Sequence, residues 1–375
     1  MAETRDRVDS VPRLQAAVPF LAAALLLAAA GPANGQVVQP PYDTFYTLSN
    51  LGSVPGLPTR YGGLTFLTGN PNVIVIGGLA NVAGGTFYSI GVVRNGSNHI
   101  TGFTGTAAVF SQGQFNDGGV VFGPGNVLFY TRFPTNEIGE VKPGSTTTDK
   151  VVALTPLGVG SSVGALNFVP GGFPGAGQLK IVSYSTGQWY TASFAPDGSG
   201  TYDITAPVLN TTINVGPEGF VYVPVGSPIF PSGTSMLVAE YGNDVIGTYQ
   251  IDAGGNPVPA SRAVFINGLT GAEGAAIDPV TGDFLFSTFG GTNQVIVVQG
   301  FAPPPTNTPA GVATSTPTLT PTITPTGTAV PATVTPTTTR TPTPGVAAVV
   351  PTLSFPMLAL LGLMLAAAAV FLMRR

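Results

Sequence analysis

The chain has 375 residues, with 51 Gly, 36 Pro and only 8% charged residues, a composition that favours strands and turns over helices. It contains no Cys, which excludes disulfides and thiolate chemistry. The net charge is −4, and between residues 36 and 301 seven Lys and Arg stand against fourteen Asp and Glu, which gives −7. Nucleic-acid binding relies on basic patches that neutralise phosphates, so we set this class of function aside.

Residues 1–35 are typical of an export signal. An apolar stretch from Ala16 to Ala30 follows three arginines, and Ala33-Asn34-Gly35 fits a cleavage site before Gln36. A stretch of about 15 apolar residues is short for a spanning helix, which favours cleavage over retention as an N-terminal anchor. We therefore expect an exported protein whose mature chain begins near residue 36.

Residues 36–301 are predicted to form one domain of repeated strands. A glycine opens a short apolar strand, and a Pro/Gly turn and a second, more apolar strand follow. This pattern recurs at intervals of 45 to 56 residues, beginning at Gly63, Gly119, Gly164, Gly219 and Gly274. A period of this size, built of short strands, predicts a β-propeller.

The ends of the repeat region predict how the propeller closes. Most units end with a third and a fourth strand, but the last unit passes from Val298 into a Pro-rich stretch. A strand without a unit of its own, at 44–48, precedes the first copy. We therefore predict an all-β propeller of four-stranded blades that this N-terminal strand closes, because closure removes free sheet edges. The count gives five blades, and a sixth stays open in the long first or third unit.

The strand pattern resembles the bacterial NHL-type and gluconolactonase-like propeller repeats. The likeness lies in Gly274–Pro279, Gly282–Ser287 and Asn293–Val298, which hold a Gly-led strand, a Pro/Gly turn with an apolar strand, and an Asn before the third strand. In gluconolactonase-like propellers, a Glu at a comparable position of the first strand is a metal ligand. The resemblance thus implies a metal-dependent, lactonase-like hydrolase as one alternative.

Three acidic residues occupy related positions in the repeats. Glu218 and Glu273 immediately precede their repeat glycines, and Asp117 lies one residue further back in its own unit. Equivalent positions of a radial repeat converge near the mouth of the central channel, so we expect these carboxylates to lie close together. They would suit a hard cation such as Ca²⁺, the one cofactor that the sequence suggests. The alternative is that each Glu holds its strand through backbone N–H groups and binds no metal.

The C-terminal part changes composition abruptly. Residues 302–351 form a Thr/Pro-rich linker, which predicts a disordered stalk biased towards polyproline II. Residues 352–375 hold an uncharged apolar stretch, Leu353 to Met373, followed by Arg374 and Arg375. About 20 apolar residues match the hydrocarbon core of a bilayer, and terminal arginines favour the cytoplasm. We therefore predict one transmembrane helix that anchors the protein with its repeat domain outside the cytoplasm.

The entrance of this segment reads Val350-Pro351-Thr352-Leu353-Ser354. The motif, the apolar helix and the final Arg pair resemble the IPTL-type C-terminal sorting signals of bacterial exported proteins, relatives of PEP-CTERM signals. Val350 stands where that family has Ile. The resemblance implies a membrane protease that processes the tail and delivers the protein to the cell surface or the medium. A plain C-terminal anchor is the alternative.

These features lead to one functional hypothesis and two alternatives. The chain has a single His, His99, and no Cys, which leaves few side chains for catalysis, and we assign no catalytic residue. We predict an exported, surface-anchored propeller that binds an extracellular protein or glycan without catalysis. The alternatives are the lactonase-like hydrolase and a structural envelope protein that associates with itself.

Overall fold

The computed structural model describes residues 35–304, apart from residues 232 and 292. Apart from their boundary residues, the segments predicted as signal peptide, stalk, sorting motif and membrane anchor lie outside this part of the chain. Within it, no helix reaches the length and hydrophobicity of a membrane span.

The described residues form strands joined by turns. In chain order the strands are β1 (Val37–Val38), β2 (Thr47–Gly52), β3 (Leu64–Leu67), β4 (Asn70–Gly78), β5 (Thr86–Arg94), β6 (Ile100–Gln112), β7 (Asn116–Phe122), β8 (Leu128–Arg132), β9 (Glu137–Val141), β10 (Lys150–Ala153), β11 (Val163–Phe168), β12 (Leu179–Ser183), β13 (Gln188–Pro196), β14 (Tyr202–Thr212), β15 (Pro217–Tyr222), β16 (Ser235–Glu240), β17 (Val245–Gln250), β18 (Ala263–Asn267), β19 (Ala272–Ile277), β20 (Phe284–Thr288) and β21 (Val295–Gln299). Single-turn 3₁₀ helices lie at Tyr42–Thr44, Pro124–Asn126, Thr155–Leu157, Tyr241–Asn243 and Pro259–Ser261.

The strands form five antiparallel sheets, which are the blades of a propeller. Blade 1 holds β3–β6, blade 2 β7–β10, blade 3 β11–β14 and blade 4 β15–β18, while blade 5 holds β19–β21 and β2. The first strands of neighbouring blades contact one another at the centre. The predicted all-β propeller of five four-stranded blades is confirmed. The described residues hold no sixth blade, because the extra length of the first and third units lies in the long hairpins β5–β6 and β13–β14.

The N-terminal strand closes the ring, as predicted. β2 pairs antiparallel with β21 and becomes the outer strand of blade 5. The strand lies at 47–52 rather than at 44–48, because the chain first makes a 3₁₀ turn in which Tyr42 stacks on Phe230 with ring centroids 5.3 Å apart. A strand that was not predicted, β1, adds a short fifth strand to blade 4 by pairing with β18.

The second strands carry much of the hydrophobic core. Every residue of β12, β16 and β20 is buried, because neighbouring blades cover both faces of these strands. Core clusters join adjacent blades, and one of them brings Phe284 and Phe286 of blade 5 together with Leu237 of blade 4. Five such clusters among the described residues, one at each seam between neighbouring blades, therefore hold the ring together.

Residues with left-handed backbone lead into the third strand of three blades. Asn136 and Asn293 have φ angles of 55° and 48°, and in blade 4 Asp244, with φ 53°, takes this conformation. Asn and Asp tolerate it better than most residues. Each side chain also accepts a backbone N–H at the entry to the next blade, from Val163 to Asn136 (2.9 Å), from Gly271 to Asp244 (2.8 Å) and from Arg60 to Asn293 (2.6 Å). The turn residue thus ties neighbouring blades together.

Candidate functional site at the propeller axis

The repeat glycines lie at the axis, where the first strands approach each other closely. A Cβ atom on Gly119 would lie 2.4 Å from the backbone nitrogen of Leu166. A Cβ atom on Gly219 would lie 2.4 Å from the backbone nitrogen of Ala275. Since a side chain there would collide with the backbone of the next blade, the repeated glycine reflects close packing at the axis.

Asp117, Glu218 and Glu273 lie together beside these glycines. Their side chains come from β7, β15 and β19, and one carboxylate oxygen of each lies within 4.8 Å of the others. All three side chains are buried, with exposures of 1%, 4% and 1%. We call these residues the axial triad. The structure thus brings the three predicted residues to one place, and their role as metal ligands stays a prediction.

In each of the three first strands that carry a triad residue, the strand pairing is irregular at that residue. The pairing register shifts between Asn116 and Val120 in β7, between Pro217 and Phe220 in β15, and between Ala272 and Ala275 in β19. Each shift spans the acidic residue and the repeat glycine. Such bulges bend a strand and change the direction of its side chains. The glycine and the acid before it are therefore parts of one local structure.

Burial dominates the electrostatics of the axial triad. Loss of hydration raises the pKa of Asp117 to about 8, although hydrogen bonds with Glu273 and Asn81 limit the rise. The pKa values of Glu218 and Glu273 are raised well above their usual range, first by burial and then by the neighbouring acids. Without a bound cation, the triad therefore holds protons at neutral pH.

The triad carboxyl groups have acceptor oxygens without donors. Asn81, with its amide group oriented to donate, reaches Asp117 Oδ1 at 2.9 Å. Apart from protons shared within the triad, no donor among the described residues reaches Asp117 Oδ2, Glu218 Oε2 or Glu273 Oε1. Since buried polar atoms nearly always have a partner, these oxygens are available to a group that enters from outside.

A cavity of about 330 Å³ opens beside the triad, and its wall was not predicted from the sequence. Four aromatic residues line it: Phe133, Tyr184, Tyr241 and Phe289. Each of them directly follows the second strand of its blade, in blades 2 to 5. All four are half-buried, as residues at a rim between cavity and solvent are. Alignment of the repeats on their second strands would have revealed this aromatic position.

The comparisons with known proteins carry no argument about the function of this chain. No protein-family model matches the chain, and no curated protein matches it either. Among solved structures, it is similar to a PQQ-bound aldose sugar dehydrogenase from Streptomyces coelicolor (13% identity, TM-score 0.36, 66% of this chain and 83% of that chain). It is also similar to a family AA12 carbohydrate-active enzyme from Trichoderma reesei (10% identity, TM-score 0.41, 71% of this chain and 97% of that chain). A third similar structure is the PQQ domain of pyranose dehydrogenase from Coprinopsis cinerea (9% identity, TM-score 0.40, 70% of this chain and 97% of that chain).

Proposed function

We propose that the protein is a binding module whose axial cavity takes a positively charged group, held by the axial triad. The observation that carries this proposal is a cluster of three buried carboxyl groups, each with an oxygen that has no hydrogen-bond partner among the described residues outside the triad. A buried carboxyl group needs either a proton or a cation to offset its loss of hydration. One divalent cation among the three carboxylates would neutralise two of their three charges.

Ca²⁺ is the metal ion that suits this donor set. It binds carboxylate oxygens at about 2.3–2.6 Å, so ligands on opposite sides of the ion lie about 5 Å apart. The triad oxygens, within 4.8 Å of one another, match this spacing. Three carboxylates fill only part of the roughly six to eight positions that Ca²⁺ takes. The remaining positions would be open to water or to oxygen atoms of a ligand in the cavity.

Terbium luminescence tests this site, because Tb³⁺ replaces Ca²⁺ and is excited by nearby tyrosines. Tyr184 and Tyr241 line the same cavity as the triad. We expect saturable, tyrosine-sensitised emission from the full-length protein, and we expect Ca²⁺ to displace the Tb³⁺. Glu218→Gln and Glu273→Gln should each weaken binding by about tenfold or more, because each removes a charged ligand.

The matched control for these variants is Asp203→Asn, which removes a largely exposed carboxylate on the outer strand of blade 3. It should bind Tb³⁺ and Ca²⁺ like the native protein. A native protein that binds neither ion would overturn the proposal, and so would equal losses in the control and in the triad variants.

A second candidate function is the hydrolysis of a lactone or a similar ester. The observation that favours it is the placement of three carboxyl groups at one cavity, where one group can act as acid and another as base. The assay is hydrolysis of a panel of simple lactones by the native protein and by Asp117→Asn. Rates no higher than those without protein would remove this candidate.

We also propose that the protein is exported and membrane-anchored, with its propeller outside the cytoplasm. Support comes from the apolar stretches at both ends of the sequence and from Arg374 and Arg375. Mass spectrometry of the protein from separate cytoplasmic, membrane and extracellular fractions would identify its location and both ends. We expect a start near Gln36, together with an end at Arg375 for a plain anchor or near Val350 after sorting. A cytoplasmic protein that keeps residues 1–35 would contradict this.

A further inference from the structure

The aromatic rim of the axial cavity extends across four blades. The ring centroids of Phe133 and Tyr184 lie 5.7 Å apart, and those of Tyr184 and Tyr241 lie 5.9 Å apart. Tyr241 and Phe289 follow at 6.2 Å. We call these four residues the aromatic collar. Since the rings support one another at the steep angles that aromatic pairs prefer, the collar keeps a fixed shape around the opening.

Blade 1 places a positive charge on the same rim. Arg60 is exposed, lines the cavity and has its guanidinium group 5.6 Å from the ring centroid of Phe289. Its backbone N–H donates to Asn293 Oδ1 at 2.6 Å, which fixes the position of the residue. The guanidinium forms no ion pair with a carboxylate of the described residues. The cavity thus has acidic groups at its base and an unpaired cation at its rim.

We propose that this cavity binds a small organic zwitterion, a compound with an ammonium group and a carboxylate separated by a few bonds. The inference rests on the proposed cation site, because the ammonium group would lie against the triad oxygens, over the position of the metal ion. The ligand's carboxylate pairs with Arg60. The collar surrounds the body of the ligand and stabilises the ammonium group through cation–π attraction.

Other classes of ligand leave part of the cavity without a contact. A bare metal ion among the carboxylates contacts neither the collar nor Arg60. A neutral sugar would leave the triad without a cation and Arg60 without a counter-charge, and a simple anion would pair with Arg60 but leave the triad without a cation. The volume of about 330 Å³ is at the lower end of the range for small-molecule sites, about 300–1,000 Å³. It fits a compound of the size of an amino acid or a betaine.

Two probes with the same cationic head test the two ends of the site separately. Glycine betaine carries a trimethylammonium group and a carboxylate, whereas tetramethylammonium carries the cationic head alone. We expect both probes to displace Tb³⁺ from the full-length protein. In calorimetric titrations glycine betaine should bind about tenfold more tightly than tetramethylammonium. Glycine betaine has a carboxylate that forms charge-assisted hydrogen bonds with Arg60, and tetramethylammonium has none.

Variants of the rim assign each contribution. Arg60→Gln should weaken glycine betaine binding by about tenfold and leave tetramethylammonium binding unchanged. Phe289→Leu should weaken both probes by about threefold, because it removes one ring and keeps an apolar side chain. Lys142→Gln is the control. It removes a partly exposed lysine in the turn after β9, and it should bind both probes like the native protein. Retained Tb³⁺ binding in each variant would show that the cavity is folded.

The outcomes separate this inference from the proposed cation site. Equal affinities for the two probes would overturn the proposal of a zwitterionic ligand, and so would an unchanged affinity of Arg60→Gln for glycine betaine. Tb³⁺ binding that neither probe displaces would overturn it too and leave the cation site standing. If Tb³⁺ and both probes fail to bind, both proposals fall. If glycine betaine binds in a way that depends on Arg60 and Glu218, and Tb³⁺ does not bind at all, the proposal of a zwitterionic ligand is supported and the proposed metal site is overturned.

Discussion

A Cβ atom on Gly274 would lie 2.5 Å from the Cα atom of Gly63, so the last and the first repeat glycines touch where the ring closes. The backbone N–H of Gly274 donates to Ser287 Oγ at 3.0 Å, and this hydroxyl group donates to the carbonyl oxygen of Gly62 at 2.7 Å. The hydroxyl group of Ser287 therefore links a backbone N–H of blade 5 to a backbone carbonyl of blade 1, next to Glu273 of the triad.

Replacement of Gly274 by Ala should destabilise the protein by about 1–3 kcal/mol, since the added methyl group meets backbone that cannot move away easily. Gly102→Ala is the matched control, because a Cβ atom at that strand position has no atom within 4 Å. Urea unfolding followed by tyrosine fluorescence gives both values. Equal effects of the two substitutions would contradict the close packing at the axis.

In metal-free protein, the free energy of unfolding should fall as the pH rises from about 4 to 8. Burial raises the pKa of Asp117 to about 8 and raises those of Glu218 and Glu273 further, whereas in the unfolded chain these groups ionise near pH 4. Unfolding therefore releases protons in this window, and stability decreases with pH. Added Ca²⁺ should offset the loss at pH 8, because the metal binds the deprotonated carboxylates.

A variant is needed to isolate the contribution of the triad to this pH dependence, because another buried carboxyl group also lowers the stability as the pH rises. Burial also raises the pKa of Glu140, to about 7, at a position away from the axis. Glu218→Gln should have a shallower decline of stability than the native protein in the presence of a chelator. Identical profiles for the native protein and Glu218→Gln would show that the triad does not titrate as expected.

An ion pair on the seam between blades 1 and 5 should contribute strongly to stability. Arg94 donates to both carboxylate oxygens of Asp278, at 2.6 and 3.0 Å, and the Asp278 side chain is fully buried. Arg94→Met leaves this carboxylate buried without its cation and should cost about 3–5 kcal/mol. Lys142→Met breaks the more exposed pair with Asp149, at 3.4 Å, and should cost less than about 1 kcal/mol. Similar losses in urea unfolding would contradict the role of the seam.

Removal of the closing strand should prevent a stable monomer. A chain that begins at Ser53 lacks β2, so β21 becomes a free edge of apolar residues, from Val295 to Val298, which are buried in the native propeller. Such edges promote aggregation. A chain that begins at Gly35 keeps the strand and is the control. Size-exclusion chromatography should give a monomer for the control only, and a stable monomer from the shorter chain would contradict closure by β2.

The blade pattern could be predicted because its causes are local. Short apolar runs bounded by Pro/Gly turns specify strands and hairpins, and the missing fourth strand of the last unit required a partner such as β2. The convergence of Glu218 and Glu273 followed from their equal places beside repeat glycines. The collar was not predicted, because each of blades 2 to 5 supplies only one aromatic residue, and Phe133 or Tyr184 alone is indistinguishable from a core residue.

The sequence by itself determined the all-β class, a propeller of five or six blades and the strand that closes it, because the strand and turn pattern repeats within about fifty residues and the last unit lacks a fourth strand. The tertiary structure decided that the described residues form five blades. Only the tertiary structure decided that three carboxyl groups, four aromatic rings and Arg60 share one cavity. These groups come from all five blades, and their distances depend on the packing of the first strands at the axis. That packing is set by the contacts of glycines such as Gly63 and Gly274, which no single repeat contains.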